Sequence, residues 1–150
     1  MTYLFPDLCI VCEGERDRIV LAEIAARLLN AEFIKRRLEI VVANGKIVIP
    51  RLVQAAEARF SPDSLIVVVD SDGRPAATKS KIRRSLSGDE PWIVVADPDP
   101  ESWVVAGRGR KLGPDQLRVA AAQADLSRIE SRHPEFRTFR EAVMSFPLPQ

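Results

Sequence analysis

Three features of the chain predict an α/β fold built on a central parallel sheet: short, uninterrupted apolar runs, helical periodicity between them, and acids where the runs end. The run Leu65 to Val69 is the clearest. Five consecutive aliphatic residues, mostly β-branched, fit a strand buried on both faces, as in the middle of a parallel sheet. Such sheets meet their ligands at the strand C-termini. Asp70 and Asp72 stand at that end, and Gly73 lets the chain turn away. If the extended backbone persists, the i, i+2 spacing turns both carboxylates to one side. Two adjacent carboxylates repel each other unless a cation lies between them, and oxygen-only ligands favour Mg²⁺ or Mn²⁺ over zinc. The alternative is that Asp-Ser-Asp-Gly is simply a turn, since these are common turn formers.

The other elements follow in order. Leu8 to Cys12 is a first strand, and after Glu13-Gly14-Glu15-Arg16-Asp17 a helix runs to about Leu29, with Val20, Ile24 and Leu28 on one face. Leu38 to Ala43 is a second strand. Asn44-Gly45-Lys46 then leads into a helix marked by Ile49, Val53 and Ala56. The segment Arg74 to Asp89, rich in charge, Ser, Gly and Pro, reads as a loop that could act as a mobile flap, with a short helix around Lys79 to Leu86. Trp92 to Ala96 is a fourth strand. After it, Asp97-Pro98-Asp99-Pro100-Glu101 predicts a helix with Asp99 as N-cap, Pro100 at its first position and Glu101 in its first turn, ending at Gly107. Gly113-Pro114 opens a helix to about Ala124, and Pro134 opens the last, to about Met144.

At 150 residues the chain has the length of one domain, read as a core over about 8–107 and a C-terminal helical extension over about 108–150. Its 46% hydrophobic and 29% charged content is that of a globular protein. No apolar run reaches the length of a membrane span and no secretory signal is visible, so a cytoplasmic protein with no membrane partner is expected. Cys9 and Cys12, three apart on a strand, face opposite ways, and with one histidine they are too few for a structural zinc site; buried core thiols are expected. The net charge of +1 conceals basic clusters at Lys35 to Arg37, Lys79 to Arg84 and Arg108 to Lys111. Acids at the strand ends with bases around them suit a phosphodiester substrate, although each cluster alone is an ordinary solvated face.

Three predicted strands thus deliver Glu13, Asp70, Asp72, Asp97 and Asp99 to one edge, with Glu101 one step further. Gathering so many carboxylates is opposed by their mutual repulsion, which a bound cation relieves.

The segments Val11-Cys12-Glu13-Gly14-Glu15-Arg16-Asp17 and Val67-Val68-Val69-Asp70-Ser71-Asp72-Gly73 resemble the glutamate motif and the D-x-D motif of the TOPRIM domain. Asn44-Gly45-Lys46 and Pro100-Glu101-Ser102-Trp103 further resemble the small, stand-alone branch that includes the OLD-family nucleases. The resemblance implies a TOPRIM-like, Rossmann-like sheet of about four parallel strands flanked by helices, and Mg²⁺- or Mn²⁺-dependent cleavage or transfer of phosphodiesters in DNA or RNA. It implies that Glu13, Asp70 and Asp72 hold an ion, with Asp17, Asp97 or Glu101 seating a second, and that Glu13 serves as general acid or base. Lys46, after a glycine at a helix start, could take a phosphate oxygen. Asp97 and Asp99 form a second D-x-D, and either pair could be the principal one. No nucleotide-binding P-loop is present, so an OLD-type ATPase would be a separate partner chain. Two rivals stand beside this reading. One is a phosphatase of the haloacid dehalogenase type with Asp70 as nucleophile, although that motif normally lies on the first strand and continues with threonine. The other is a module that binds metal and nucleic acid, or a protein partner, without turnover.

Overall fold

The computed structural model describes residues 8–29, 38–60, 64–86, 91–105 and 112–145. Four parallel strands, β1 (Leu8–Cys12), β2 (Leu38–Val42), β3 (Leu65–Asp70) and β4 (Trp92–Ala96), form one sheet in the order β2-β1-β3-β4. The helices are α1 (Glu15–Leu28), α2 (Ile49–Glu57), α3 (Pro75–Ser85), α4 (Pro114–Gln123), α5 (Leu126–Arg132) and α6 (Glu135–Met144), with a 3₁₀ turn at Pro100–Trp103. This is the α/β architecture that the apolar runs predict.

Both faces of the two central strands are covered, which is why β1 and β3 are continuous apolar runs and not alternating ones. Leu8, Ile10, Cys12, Ile66 and Val68 point to a core shared with α1 and the C-terminal helices, whereas Cys9, Val11, Leu65, Val67 and Val69 point to a core shared with α2 and α3. Cys9 and Cys12 therefore lie on opposite faces. Both are free and buried, and burial pushes each thiol up to about 12, so neither ionises readily near neutrality.

Register levels the strand ends. Cys12 pairs with Val42 and Val68, and Asp70 pairs with Ala96, so the residues that follow β1, β3 and β4 emerge side by side at one edge. Pairing continues briefly beyond the strands, where Ala43 N donates to Cys12 O (2.8 Å) and Asn44 N to Glu13 O (2.7 Å).

Three expectations need correction. The segment after Gly73 is the three-turn helix α3, which starts at Pro75 and buries Thr78 and Ile82, and not a loop or flap with a helix from Lys79. Proline suits a first helical position because that residue's N–H has no intrahelical partner. The expected helix from Pro100 is a single 3₁₀ turn ending at Trp103, and its expected end at Ala106 and Gly107 lies outside the described residues. Helix α5, with one buried residue, Ile129, has no counterpart in the expected order. The basic clusters at 35–37 and 108–111 also lie outside the described residues.

Helices α4 and α6 pack on α1, and α6 also packs on β4. Phe136 and Phe139 are fully buried, and Trp103 stands edge-on to Phe136 with centroids 5.2 Å apart. The C-terminal helices thereby complete the core on one face of the sheet.

Candidate functional site

The site begins with how each strand end turns. At the end of β3 the extended backbone stops at Asp70. Asp72 (φ 53°) and Gly73 (φ 74°) both enter the left-handed region, and Arg74 N donates to Ser71 O (2.9 Å), which is the φ signature of a type I′ turn. The two acids of the D-x-D therefore do not share the parallel orientation that an extended chain would give. Asp70 stays half-buried at the sheet edge, and Asp72 turns outward with 65% of its side chain exposed. Ser71 between them is buried, and its hydroxyl donates to Asp97 Oδ1 (2.7 Å).

At the end of β1, Glu13 reaches across to β3 and accepts the backbone N–H of Asp70. Lys46 Nζ donates to both of its oxygens, at 2.9 and 3.0 Å, and lies 2.9 Å from Asp72 Oδ2. One ammonium thus bridges the glutamate and the outer acid of the D-x-D. Burial works against the charge on Lys46, but its hydrogen bonds to Asp72 and Glu13 more than offset this, and its pKa is raised. Lys46 is brought there by the turn at Asn44 (φ 58°) and Gly45 (φ 127°), a backbone that favours asparagine and glycine.

Asp17 lies in the first turn of α1, 9% exposed, and accepts the N–H of Gly14 at 3.2 Å. Even so, burial raises its pKa to about 6, and the charges of Asp99, Glu13 and Glu101 add to the effect. Asp70 is shifted further, to about 7, first by burial and then by Asp17 and Glu13, with Lys46 opposing and Asp99 adding. Asp70 thus meets the charges of Asp17, Glu13 and Asp99 at this edge of the sheet. Oδ1 of Asp70 is buried there with no hydrogen-bond partner, a costly condition for a carboxylate oxygen.

The fourth strand contributes differently. Asp99 caps the 3₁₀ turn, its Oδ1 accepting Ser102 N at 2.8 Å, as the sequence predicts. Glu101 forms an ion pair with Arg16 of α1, whose Nε is 3.1 Å from Glu101 Oε2. Asp97 serves as a fastener. Its side chain holds Ser71, its N–H donates to Glu135 (2.8 Å), and its carbonyl oxygen lies 3.1 Å from His133 Nδ1. Glu135 also accepts the Trp103 indole N–H at 2.9 Å.

Sequence reasoning did not anticipate Arg16 as the partner of Glu101, or the pair His133 and Glu135 behind Asp97. The signal for Arg16 was its position in the first turn of α1, beside Asp17; nothing local marks a contact from Asp97 across more than thirty residues to His133 and Glu135.

The donors are all carboxylate oxygens, one of them buried and unpaired, which fits a hard divalent cation. Among the described residues no group of three acids is already drawn close enough to form a cage, because Lys46 and the Asp70 amide take up the oxygens of Glu13. Fold and site together define a doubly wound parallel α/β domain with an acidic crevice at the carboxyl edge of its sheet. Within that class, residues 4–72 match the family model of the Overcoming lysogenization defect protein-like TOPRIM domain, a type of domain that binds divalent metal ions and acts on nucleic acid. The match includes Glu13, Asp17, Lys46, Asp70 and Asp72 and ends before Asp97. No curated protein matches the chain.

Proposed function

We propose that the chain is a single-domain Mg²⁺- or Mn²⁺-dependent nuclease that cleaves phosphodiester bonds at the edge formed by Glu13, Asp70 and Asp72. The observation that carries this reading is the unpaired, buried Oδ1 of Asp70, whose ionisation is opposed by burial and by the charges of Asp17, Glu13 and Asp99. A core has no use for such an atom, and a cation gives it a partner. When bound, the ion supplies positive charge that polarises a phosphate oxygen.

The chain's own residues do the rest. Asp70 would be the innermost ligand, and Asp17 of α1 and Asp99 of the 3₁₀ turn, whose charges act on it, would help seat a second ion. Glu13 has two roles open to it, as ligand and as general acid or base, because its carboxylate is held at the strand end by the Asp70 amide and by Lys46, which must yield an oxygen for either role. Lys46 holds Glu13 and Asp72 in the metal-free protein. With an ion held by those carboxylates, the Lys46 ammonium would be available to a phosphate oxygen. Glu101 reaches the site through Arg16, whose guanidinium it orients. Asp97 supports the β3 turn through Ser71, which favours Asp70 and Asp72 over Asp97 and Asp99 as the principal pair.

A binding module without turnover is the second reading. Its support is Lys46 itself, a built-in cation that already neutralises Glu13 and Asp72.

The test is Asp70→Asn, which keeps the shape and removes the charge. Wild-type protein should cut labelled DNA or RNA with Mg²⁺ or Mn²⁺ and not with EDTA, and the variant should lose at least about a hundredfold in rate, about 2.7 kcal/mol in transition-state stabilisation. Metal binding by wild type without cleavage of any nucleic acid would favour the binding module. Full activity in the variant would remove Asp70 from the site.

A further inference from the structure

Beside the acidic crevice, a groove of about 480 Å³ runs between the start of α2 and the outer face of α3, within the range of about 300–1,000 Å³ common for ligand sites. Lys46 and Asp72 form the end that it shares with the crevice. Its apolar walls include Pro50, Ala77 and Ile82, and Ile47 stands at the rim with 95% of its surface exposed. A second, mostly polar hollow of about 290 Å³, lined also by Arg51, Gln54 and Glu57, shares Ile47, Pro50 and Ser85 with the first. Arg74 and Lys81 line the groove, are exposed, and have no anionic partner among the described residues. An apolar channel edged by unpaired cations and opening onto a phosphate-directed site has the complementarity of a strand whose bases are uncovered. Phosphates then meet Arg74 and Lys81, while base faces lie on Ile47 and Pro50. A duplex keeps its base faces stacked inside and would present this channel with backbone alone, leaving the exposed isoleucine without a use.

We propose that this groove binds an unpaired stretch of nucleic acid next to the scissile phosphate, so that the substrate is single-stranded at this point; the inference rests on the nuclease reading above. Its test is binding, measured by fluorescence anisotropy with Ca²⁺ in place of Mg²⁺, of a short labelled oligothymidylate and of a blunt duplex of equal length. Wild type should bind the single strand at least about tenfold tighter than the duplex. Lys81→Ala should lower the slope of log affinity against log salt by about one, as expected for one lost phosphate contact. Ile47→Ser should weaken single-strand binding several-fold with the slope unchanged, because the lost contact is apolar. Both are exposed positions where substitution leaves the core intact, and Arg137→Ala, on α6 at the other face of the sheet, should change nothing. Equal affinity for the duplex, no binding of the single strand, or an Ile47→Ser variant that binds as wild type does would overturn the proposal. Cleavage assayed separately with Mg²⁺ and Mn²⁺ keeps the two readings apart. Cleavage with an insensitive Ile47→Ser sinks the groove alone, and groove-dependent binding without cleavage sinks the nuclease alone.

Discussion

Asp70 sets the pH behaviour of the site. Its carboxyl is raised to about 7 and that of Asp17 to about 6, both above the ordinary aspartate value of 3.8, so the folded protein prefers their protonated forms. The favourable contribution of a raised carboxyl is fully present below the unfolded value and is lost as pH rises through the folded one. Metal-free protein should therefore lose thermal stability between about pH 4 and pH 7, and Asp70→Asn should flatten that loss; a melting series in EDTA checks it. A wild-type profile that is flat or rises over this window would show that the crevice is not strained. Lys46 makes the opposite prediction. Its pair with Glu13 is largely shielded from water while Asp72 is mostly exposed, and Lys46→Ala leaves the shielded Glu13 carboxylate without its cation, which should cost about 1–3 kcal/mol in EDTA. Saturating Mn²⁺ should recover most of that deficit, since an ion replaces the ammonium between the same carboxylates. Denaturant titrations with and without Mn²⁺ measure both quantities, and an identical deficit in the two conditions would place the ion elsewhere. The glutamate and the D-x-D acids were legible in the sequence because they follow apolar runs. Their different orientations were not, because the left-handed turn at Asp72 goes with a contact between Ser71 and the distant Asp97.

The elements around the site are joined by a few long-range bonds, and the pair Arg16 and Glu101 is one that can be weighed. It ties the first turn of α1 to the 3₁₀ turn after β4, with side chains 31% and 22% exposed. A double-mutant cycle on Arg16→Ala and Glu101→Gln should give a coupling of about 0.5–1 kcal/mol, the scale of partly exposed pairs. Additive effects would show that the two elements are positioned by packing alone, through Trp103. The strands were legible because a buried parallel strand has to be apolar at every position. Helix α3 was obscured because Pro75 and the polar residues after it carry loop composition, while only Thr78 and Ile82 face the core; an element that buries two residues leaves little periodicity to read. Helix α5, with Ile129 alone buried, left less.

At the scale of the molecule, the sheet is held between two cores, and the C-terminal helices supply much of one. Phe136 is fully buried against Trp103 and Phe139, so Phe136→Ala should cost about 3–5 kcal/mol and lower the midpoint of unfolding for strands and helices together. Loss of the α6 signal before that of the sheet would mean that the C-terminal helices unfold on their own. Glu135 links this core to the site, since one carboxylate accepts both the Trp103 indole and the backbone of Asp97. The sequence by itself determined the parallel α/β class, the four strands, the acidic edge and the motifs of the TOPRIM domain, because burial on both faces and the chemistry at strand ends are properties of short, contiguous stretches. Only the tertiary structure decided that Lys46 bridges Glu13 and Asp72, that Glu101 faces Arg16, and that Asp97 braces the β3 turn. Each of these is a contact between residues at least twenty-five positions apart, formed when strand register brings the ends of β1, β3 and β4 level, and no local pattern encodes which of several neighbouring charges will be the one in reach.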